Sequence, residues 1–211
     1  PGCGSPEEPS GYFQEHFILC RNKKMEIKLH SRDLLLRAIE PDDLPYFMRV
    51  ENDPQLWSVC DTRIPFSRFT LERVLEARVP DFFADRQLRL VICLREGGES
   101  VGFVDLFDFS PLHRRAVIGV VIYPADHRGK GYADQAMELA LGYAFSAFNL
   151  HQVWAEVPCS NEPSKALFDR LGFTLSGIFH QWLLCAGQYT DVNVYQLTAE
   201  DFLSRREPTQ P

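Results

Sequence analysis

Apolar and polar residues along the chain fall into segments whose spacing predicts a mixed α/β domain. The run Val117–Tyr123 is almost wholly apolar, which is typical of a central strand buried on both faces. The two glycines of Glu96-Gly97-Gly98-Glu99 indicate a hairpin turn between the second and third strands. We expect strands at about 34–38, 88–95, 101–109, 115–123, 152–158, 173–184 and 188–197.

Three- and four-residue spacing of apolar positions predicts helices between these strands. Pro41 suits the first position of a helix, because the N–H that proline lacks has no helical partner there. The longest helix carries apolar residues such as Met137 and Leu141 along one face. Gly172 stands just past the last helix, where a left-handed cap residue is usual. We expect helices at about 41–50, 70–78, 130–148 and 162–171.

The domain organisation is expected to be simple. Residues 31–205 carry the alternating pattern and are predicted to form one domain. Residues 1–30 are rich in proline at their start and basic at Arg21–Lys24, and we expect a weakly structured or docked extension. Residues 206–211 are expected to form a short C-terminal tail.

Composition narrows the function classes. The 45% hydrophobic and 24% charged fractions are those of an ordinary globular protein. A net charge of -7 argues against nucleic-acid and anionic-membrane partners, and the absence of a long apolar run predicts no membrane span. Six scattered cysteines without a C-x-x-C pair favour a reduced, cytoplasmic protein. Six histidines without ligand spacing predict no metal site.

The segment Arg128–Ala133 lies between the apolar fourth strand and the long helix. The first turn of a helix has unpaired N–H groups and a partial positive charge, and glycines let an anion approach them closely. Arg128 and Lys130 add positive charge, so a pyrophosphate is the natural ligand. A tight strand-to-helix turn that uses two glycines is the alternative interpretation.

Two motifs resemble one enzyme family. Arg128-Gly129-Lys130-Gly131-Tyr132-Ala133 matches the [RQ]-x-x-G-x-[GA] signature of the GNAT acyltransferase superfamily. Asn161–Phe173 resembles the N-x-x-S-x-x-[LFV]-x-x-x-[LM]-G-F pattern of its branch with ribosomal-protein N-terminal and spermidine acetyltransferases. His113–Ala116 and Gly187–Tyr189 also resemble the spermidine enzymes, and the likeness spans about Leu34–Leu203.

The resemblance implies a fold and a co-substrate. The fold would be a single α/β domain with a mixed, mostly antiparallel sheet of six to seven strands, splayed between the fourth and fifth strands and flanked by about four helices. Acetyl-CoA would donate an acetyl group to a primary amine on a small amine, a polyamine or a protein N-terminus. The residues implied in binding it are Val121, Ile122, Tyr123, Arg128, Gly129, Lys130, Gly131, Tyr132, Ala133, Asn161, Ser164 and Phe168.

The roles of Asn161, Ser164 and Phe168 each have an alternative. Asn161 would bind the pantetheine arm, but asparagine is also a good helix N-cap. Phe168 stands where the spermidine enzymes have a tyrosine, and phenylalanine cannot donate a proton to the leaving thiolate. Ser164, Tyr189 or a water would donate it instead, although Ser164 also reads as an ordinary first-turn residue. An acyl-CoA-binding module without catalysis is therefore the alternative function.

The sequence gives fewer indications of the residue that takes the amine proton and of the cavity that binds the amine. Glu51, Asp105 and Asp108 are candidate proton acceptors, and solvated surface carboxylates are the alternative. Asp105 and Asp108 are three residues apart, so they are expected on opposite faces of their strand. Asp61-Thr62-Arg63 stands where the spermidine enzymes carry an acidic pair, and this departure counts against a polyamine as the acceptor. Cavity-wall candidates, which otherwise fit a core, are Trp57, Phe66 and Trp182. A homodimer is the commonest assembly to expect.

Overall fold

The computed structural model describes residues 27–57, 64–76, 81–185 and 187–206. Most of the predicted extension, the whole of Asp61-Thr62-Arg63 and all but Arg206 of the predicted tail lie outside these ranges. The division into an extension, a domain and a tail therefore stays a prediction.

One seven-stranded sheet organises the described chain. Its order is β1-β2-β3-β4-β5-β7-β6, and every neighbouring pair is antiparallel except β4 and β5, which are parallel. The predicted mixed, mostly antiparallel sheet is confirmed. The strands are β1 Leu34–Arg37, β2 Leu88–Leu94, β3 Ser100–Ser110, β4 Arg115–Ile122, β5 Gln152–Pro158, β6 Thr174–Cys185 and β7 Gln188–Thr198.

Seven α-helices flank the sheet within the described residues. They are α1 Leu44–Glu51, α2 Pro54–Trp57, α3 Arg68–Glu76, α4 Phe82–Asp85, α5 Tyr132–Ala147, α6 Glu162–Arg170 and α7 Ala199–Ser204. The four longer ones are the predicted helices, the first preceded by a 3-10 turn at Pro41–Asp43. The expected number of about four was too low, because α2, α4 and α7 are too short to show a helical period. None of the described helices is long and apolar enough to cross a membrane.

Two hydrophobic cores lie on opposite faces of the sheet. The larger one packs α5 and α6 against the sheet and includes the fully buried Met137 and Leu141. The smaller one packs α1 and α3 against the other face, where Val91, Cys93 and Phe103 are buried. The central strands therefore carry apolar residues on both faces, and the burial of β4 on both faces that its continuous apolar run predicted is observed.

A bulge in β3 interrupts the strict alternation of that strand. The pairing register shifts between Phe107 and Ser110, and Asp108 has a φ of 50°. Because of the extra residue, Phe109 is buried in the larger core together with Leu106. Simple alternation would have placed Phe109 on the face of Phe107.

Replacing Leu141 tests the larger core. Leu141→Ala should lower the free energy of unfolding by about 2–5 kcal/mol, because it removes a buried side chain and leaves a cavity. Leu112→Ala is the matched control, since Leu112 is 85% exposed in the β3–β4 turn, and should change it by less than about 0.5 kcal/mol. Urea denaturation followed by circular dichroism measures both. Equal losses would contradict the burial of Leu141.

Candidate active site

The sheet opens between β4 and β5. The two strands pair at three positions, Arg115 with Gln152, Ala116 with Val153 and Val117 with Trp154. Both strands continue beyond these positions, to Ile122 and Pro158, without further pairing to each other in the described structure. Their outer sides stay paired with β3 and β7, so the inner backbone groups of 119–122 face an open cleft. The predicted splay is confirmed.

The glycine loop lies at one end of this cleft. β4 leads through a 3-10 turn at Ala125–His127 to the N-terminus of α5. Gly129 and Gly131 have φ values of 74° and 76°, in the left-handed region that favours glycine. A Cβ at either position would meet nothing within 4 Å. The loop thus presents the first amides of a sixteen-residue helix to open space, which suits an anion.

The two cations of the loop are both exposed at this helix end. The Arg128 guanidinium Nε donates a hydrogen bond to the Ile122 carbonyl over 3.2 Å. Arg128 therefore ties the loop to the end of β4 in addition to contributing positive charge. Lys130 adds its charge between the two glycines.

Two side chains that were not predicted also hold the loop. The Tyr46 hydroxyl of α1 donates to the Tyr123 carbonyl over 2.6 Å, and burial raises the pKa of the Tyr46 phenol. The buried His127 places Nε2 3.4 Å from Glu99, and its ring lies 6.3 Å from that of Tyr132. Sequence spacing carries no signal for these contacts, since Tyr46 looks like any apolar position of an amphipathic helix.

The start of α6 lies just past the end of β5. The Asn161 side chain accepts a hydrogen bond from the Ser164 amide over 3.2 Å, so Asn161 is a helix N-cap as the alternative interpretation predicted. The backbone N–H of Asn161 donates a hydrogen bond to the Pro158 carbonyl over 2.8 Å. Asn161 and Ser164 are both half-buried beside the cleft. Their contacts with a co-substrate stay predictions.

Phe168 lies in the hydrophobic core and is 5% exposed. Its ring stacks on Tyr195 at 5.6 Å and meets the edge of Phe173 at 4.9 Å. Packing against these two rings fixes the position of the Phe168 ring. Its contact with the co-substrate stays a prediction. Burial, followed by the nearby Asp169, raises the pKa of the Tyr195 phenol.

Two of the predicted carboxylates meet on the face of the sheet that carries α1. Arg89 of β2 donates from Nη1 to Glu51, and from Nε and Nη2 to Asp105 over 2.6 Å and 3.1 Å. Arg89 pairs across the sheet with Asp105, and Asp105 pairs with Gly119 in the splayed part of β4. Since paired residues share a face, the carboxylates stand beside the open edge. The bulge leaves Asp108 exposed and apart from them.

Arg89, which joins the two predicted carboxylates, was also not predicted from the sequence. Burial opposes the charge of its guanidinium, but Asp105 and Glu51 outweigh that effect and raise its pKa. Its guanidinium carbon also lies 5.4 Å from the Phe47 ring centroid and 5.3 Å from that of Phe103. The one available signal was a charged residue between two leucines in a strand.

The predicted cavity-wall residues lie in two different parts of the fold, and their place in a cavity stays a prediction. The Trp57 indole donates to the Glu51 backbone carbonyl over 3.0 Å. The backbone N–H of Phe66 donates to the side-chain oxygen of Asn52. Trp182 lies on β6 and donates to Glu156 of β5 over 3.0 Å. Tyr189 is 66% exposed near the start of β7. A catalytic role for Tyr189 stays a prediction.

A family model described as an acetyltransferase (GNAT) domain matches residues 33–174. The spermidine N(1)-acetyltransferase of Vibrio cholerae serotype O1 is 28% identical over 180 residues, which cover 84% of this chain and 99% of that protein.

Solved structures show the same fold. The crystal structure of the Vibrio cholerae spermidine N-acetyltransferase with CoA and spermine aligns with a TM-score of 0.71 and 27% identity, covering 81% of this chain and 98% of that one. A dodecameric structure of spermidine N-acetyltransferase from Vibrio cholerae aligns with a TM-score of 0.68 and 26% identity, covering 82% and 98%. The splayed strands, the glycine loop and the matched family model together show that this chain belongs to the GNAT family of acetyl-CoA-dependent N-acetyltransferases.

Proposed function

We propose that the enzyme acetylates a primary amine of a small cationic amine of the polyamine class. The observation that carries this proposal is the Glu51 and Asp105 carboxylate pair beside the open edge of β4. Carboxylates in a cleft attract ammonium groups, and the net charge of -7 adds long-range attraction. The Vibrio cholerae relative is named for spermidine, and its structure contains spermine, which supports the same acceptor class.

The donor side supports acetyl-CoA bound along β4. We infer that the cleft-facing edge of β4 at Val121, Ile122 and Tyr123 binds the pantetheine arm as an added strand would, beside the Ile122 and Tyr123 carbonyls that already accept from Arg128 and Tyr46. The amides of 128–133 would bind the pyrophosphate at the positive end of α5. Asn161 lies on the opposite side of the cleft, where its amide group can contact the arm while its oxygen caps α6.

The chemistry follows from these positions. The neutral amine nitrogen attacks the thioester carbonyl carbon, so a C–N bond forms as the C–S bond breaks. The amine proton passes to Glu51 or Asp105, directly or through water, and the leaving thiolate takes up a proton. Ser164 is our candidate donor because its hydroxyl sits in the first turn of α6, beside the cleft. Tyr189 and a water are the other candidates, and Phe168 has no proton to donate.

A turnover assay tests the function. Purified protein with acetyl-CoA should release free thiol when given a polyamine, and less when given amino acids or peptides with a free N-terminus. A thiol reagent measures the release, and mass spectrometry of the amine measures a gain of one acetyl group.

Two other outcomes have clear meanings. Stabilisation by acetyl-CoA in thermal unfolding without turnover of any amine would favour the acyl-CoA-binding module. Faster turnover of peptide N-termini than of polyamines would favour a protein acceptor and contradict the proposed amine class.

Replacing Gly131 tests the pyrophosphate loop. Gly131→Ala puts a side chain into a left-handed backbone and a methyl group into the space assigned to the anion. We expect the affinity for acetyl-CoA to fall by about tenfold or more, which corresponds to roughly 1.4 kcal/mol. Isothermal titration calorimetry measures it. Gly97→Ala is the matched control, because Gly97 has a φ of 82° and an equally open surrounding in the β2–β3 turn. Equal affinities in the two variants would place the anion elsewhere.

We also propose that the enzyme self-associates, at least as a dimer, through β6. This edge strand exposes large apolar side chains that a monomer rarely leaves in water. They are Leu175, Ile178, Phe179, Trp182 and Leu184. The dodecameric structure among the relatives supports assembly in this family.

Phe179→Asp tests self-association. The wild-type protein should sediment at a multiple of 24.2 kDa, and the variant should shift towards the single-chain mass because a charge among the exposed apolar side chains of β6 opposes their burial. Phe69→Asp is the control, since Phe69 is 67% exposed on α3, away from β6. A wild-type protein that sediments as a single chain at all concentrations would disprove the assembly.

A further inference from the structure

We propose that Arg89 is a positioning residue that fixes the Glu51 and Asp105 carboxylates and sets their combined charge, so that the acceptor side selects amines by their number of charges. This inference rests on the proposed function, since it concerns the binding of the amine. It assigns to a single arginine both the geometry and the charge preference of the site.

The geometry of Arg89 supports the positioning role. One guanidinium edge binds Asp105 through two hydrogen bonds, while the remaining nitrogen reaches Glu51. The rings of Phe47 and Phe103 hold the guanidinium carbon at 5.4 Å and 5.3 Å. A planar guanidinium can bridge two carboxylates in this way, whereas the ammonium of a lysine is a point charge.

The neighbours of the pair connect it to the cleft. Arg89, Asp105 and Gly119 form one row across β2, β3 and β4, and the row ends at the splay. Gly119 has no side chain to cover Asp105, and a Cβ there would meet the Phe107 ring at 3.8 Å. The side chains of Glu51 and Asp105 are 15% and 20% exposed, so each keeps some surface open to a ligand.

The charges of the three groups leave one net negative charge. Two carboxylates and one guanidinium sum to -1, whereas the two carboxylates alone would present -2. Each further positive charge on an acceptor gains Coulomb attraction in proportion to the charge of the site. Arg89 therefore moderates the preference for polycations over monoamines, while its hydrogen bonds hold both carboxylates in fixed positions beside the cleft.

A series of charge variants tests the inference. The measured quantity is the ratio of kcat/KM for spermidine to kcat/KM for hexylamine, a monoamine, at saturating acetyl-CoA. Arg89→Met should raise this ratio by about threefold or more, the size expected for one added unit charge a few ångströms away in water. Glu51→Gln, which brings the site to neutrality, should lower it. The KM for acetyl-CoA should stay within about twofold, because the loop is untouched.

Two further variants separate positioning from folding. Arg89→Lys should keep the wild-type ratio, because it keeps the charge, but should lower kcat/KM for both amines, because it cannot bridge both carboxylates. Arg37→Met is the matched control, since it breaks a comparable part-buried ion pair, with Asp43, outside the cleft. Arg37→Met should lower the free energy of unfolding and leave the ratio of kcat/KM for the two amines unchanged.

The outcomes distinguish this inference from the proposed function. An active wild type whose ratio is unchanged in both Arg89→Met and Glu51→Gln would overturn the inference alone. A wild type that acetylates no amine would overturn the proposed function and the inference with it. If Arg89→Met does not fold, the expected fall in Glu51→Gln and the unchanged ratio in Arg89→Lys decide the matter.

Discussion

The separation of β4 from β5 is the constraint on which the site depends. The two strands pair at three positions and then part, while β3 and β7 stay paired with their outer sides. Backbone groups away from water need hydrogen-bond partners; Arg128 meets the Ile122 carbonyl, and the inner groups of 119–122 that no protein group reaches are met by a ligand or by water. A ligand that extends like a strand can satisfy them, and the amides of a pantetheine arm are groups of this kind.

The same separation brings local structures from distant parts of the chain to one cleft. The loop before α5 follows directly from β4, and the capped start of α6 follows directly from β5. Tyr46 joins α1 to the Tyr123 carbonyl at the mouth of the loop. The helix that carries Glu51 is thus hydrogen-bonded to the strand end that leads into the loop, so the donor and acceptor sides share one support.

The proposed role of Arg89 accounts for a cluster of three charged residues, Glu51, Arg89 and Asp105, between α1 and the sheet. Buried ion pairs add little net stability, because the desolvation of each charge offsets their attraction. Two leucines flank Arg89, and an apolar residue in its place would suit the smaller core. A role in holding carboxylates at the cleft accounts for the charge better than stability does, just as the capping bond of Asn161 orients a polar group that faces the same cleft.

Features that depend on neighbours within a strand period or a helical turn were determined by the sequence alone. These include the apolar run of β4, the left-handed glycines of the loop, the Asn161 cap and the seven strands. Only the tertiary structure joined Glu51, Arg89 and Asp105, which stand 38 and 16 positions apart, because strand register and helix packing decide which distant side chains meet. It also decided the bulge at Asp108 and the burial of Phe168 against Tyr195, since both depend on how whole elements fit together rather than on local spacing.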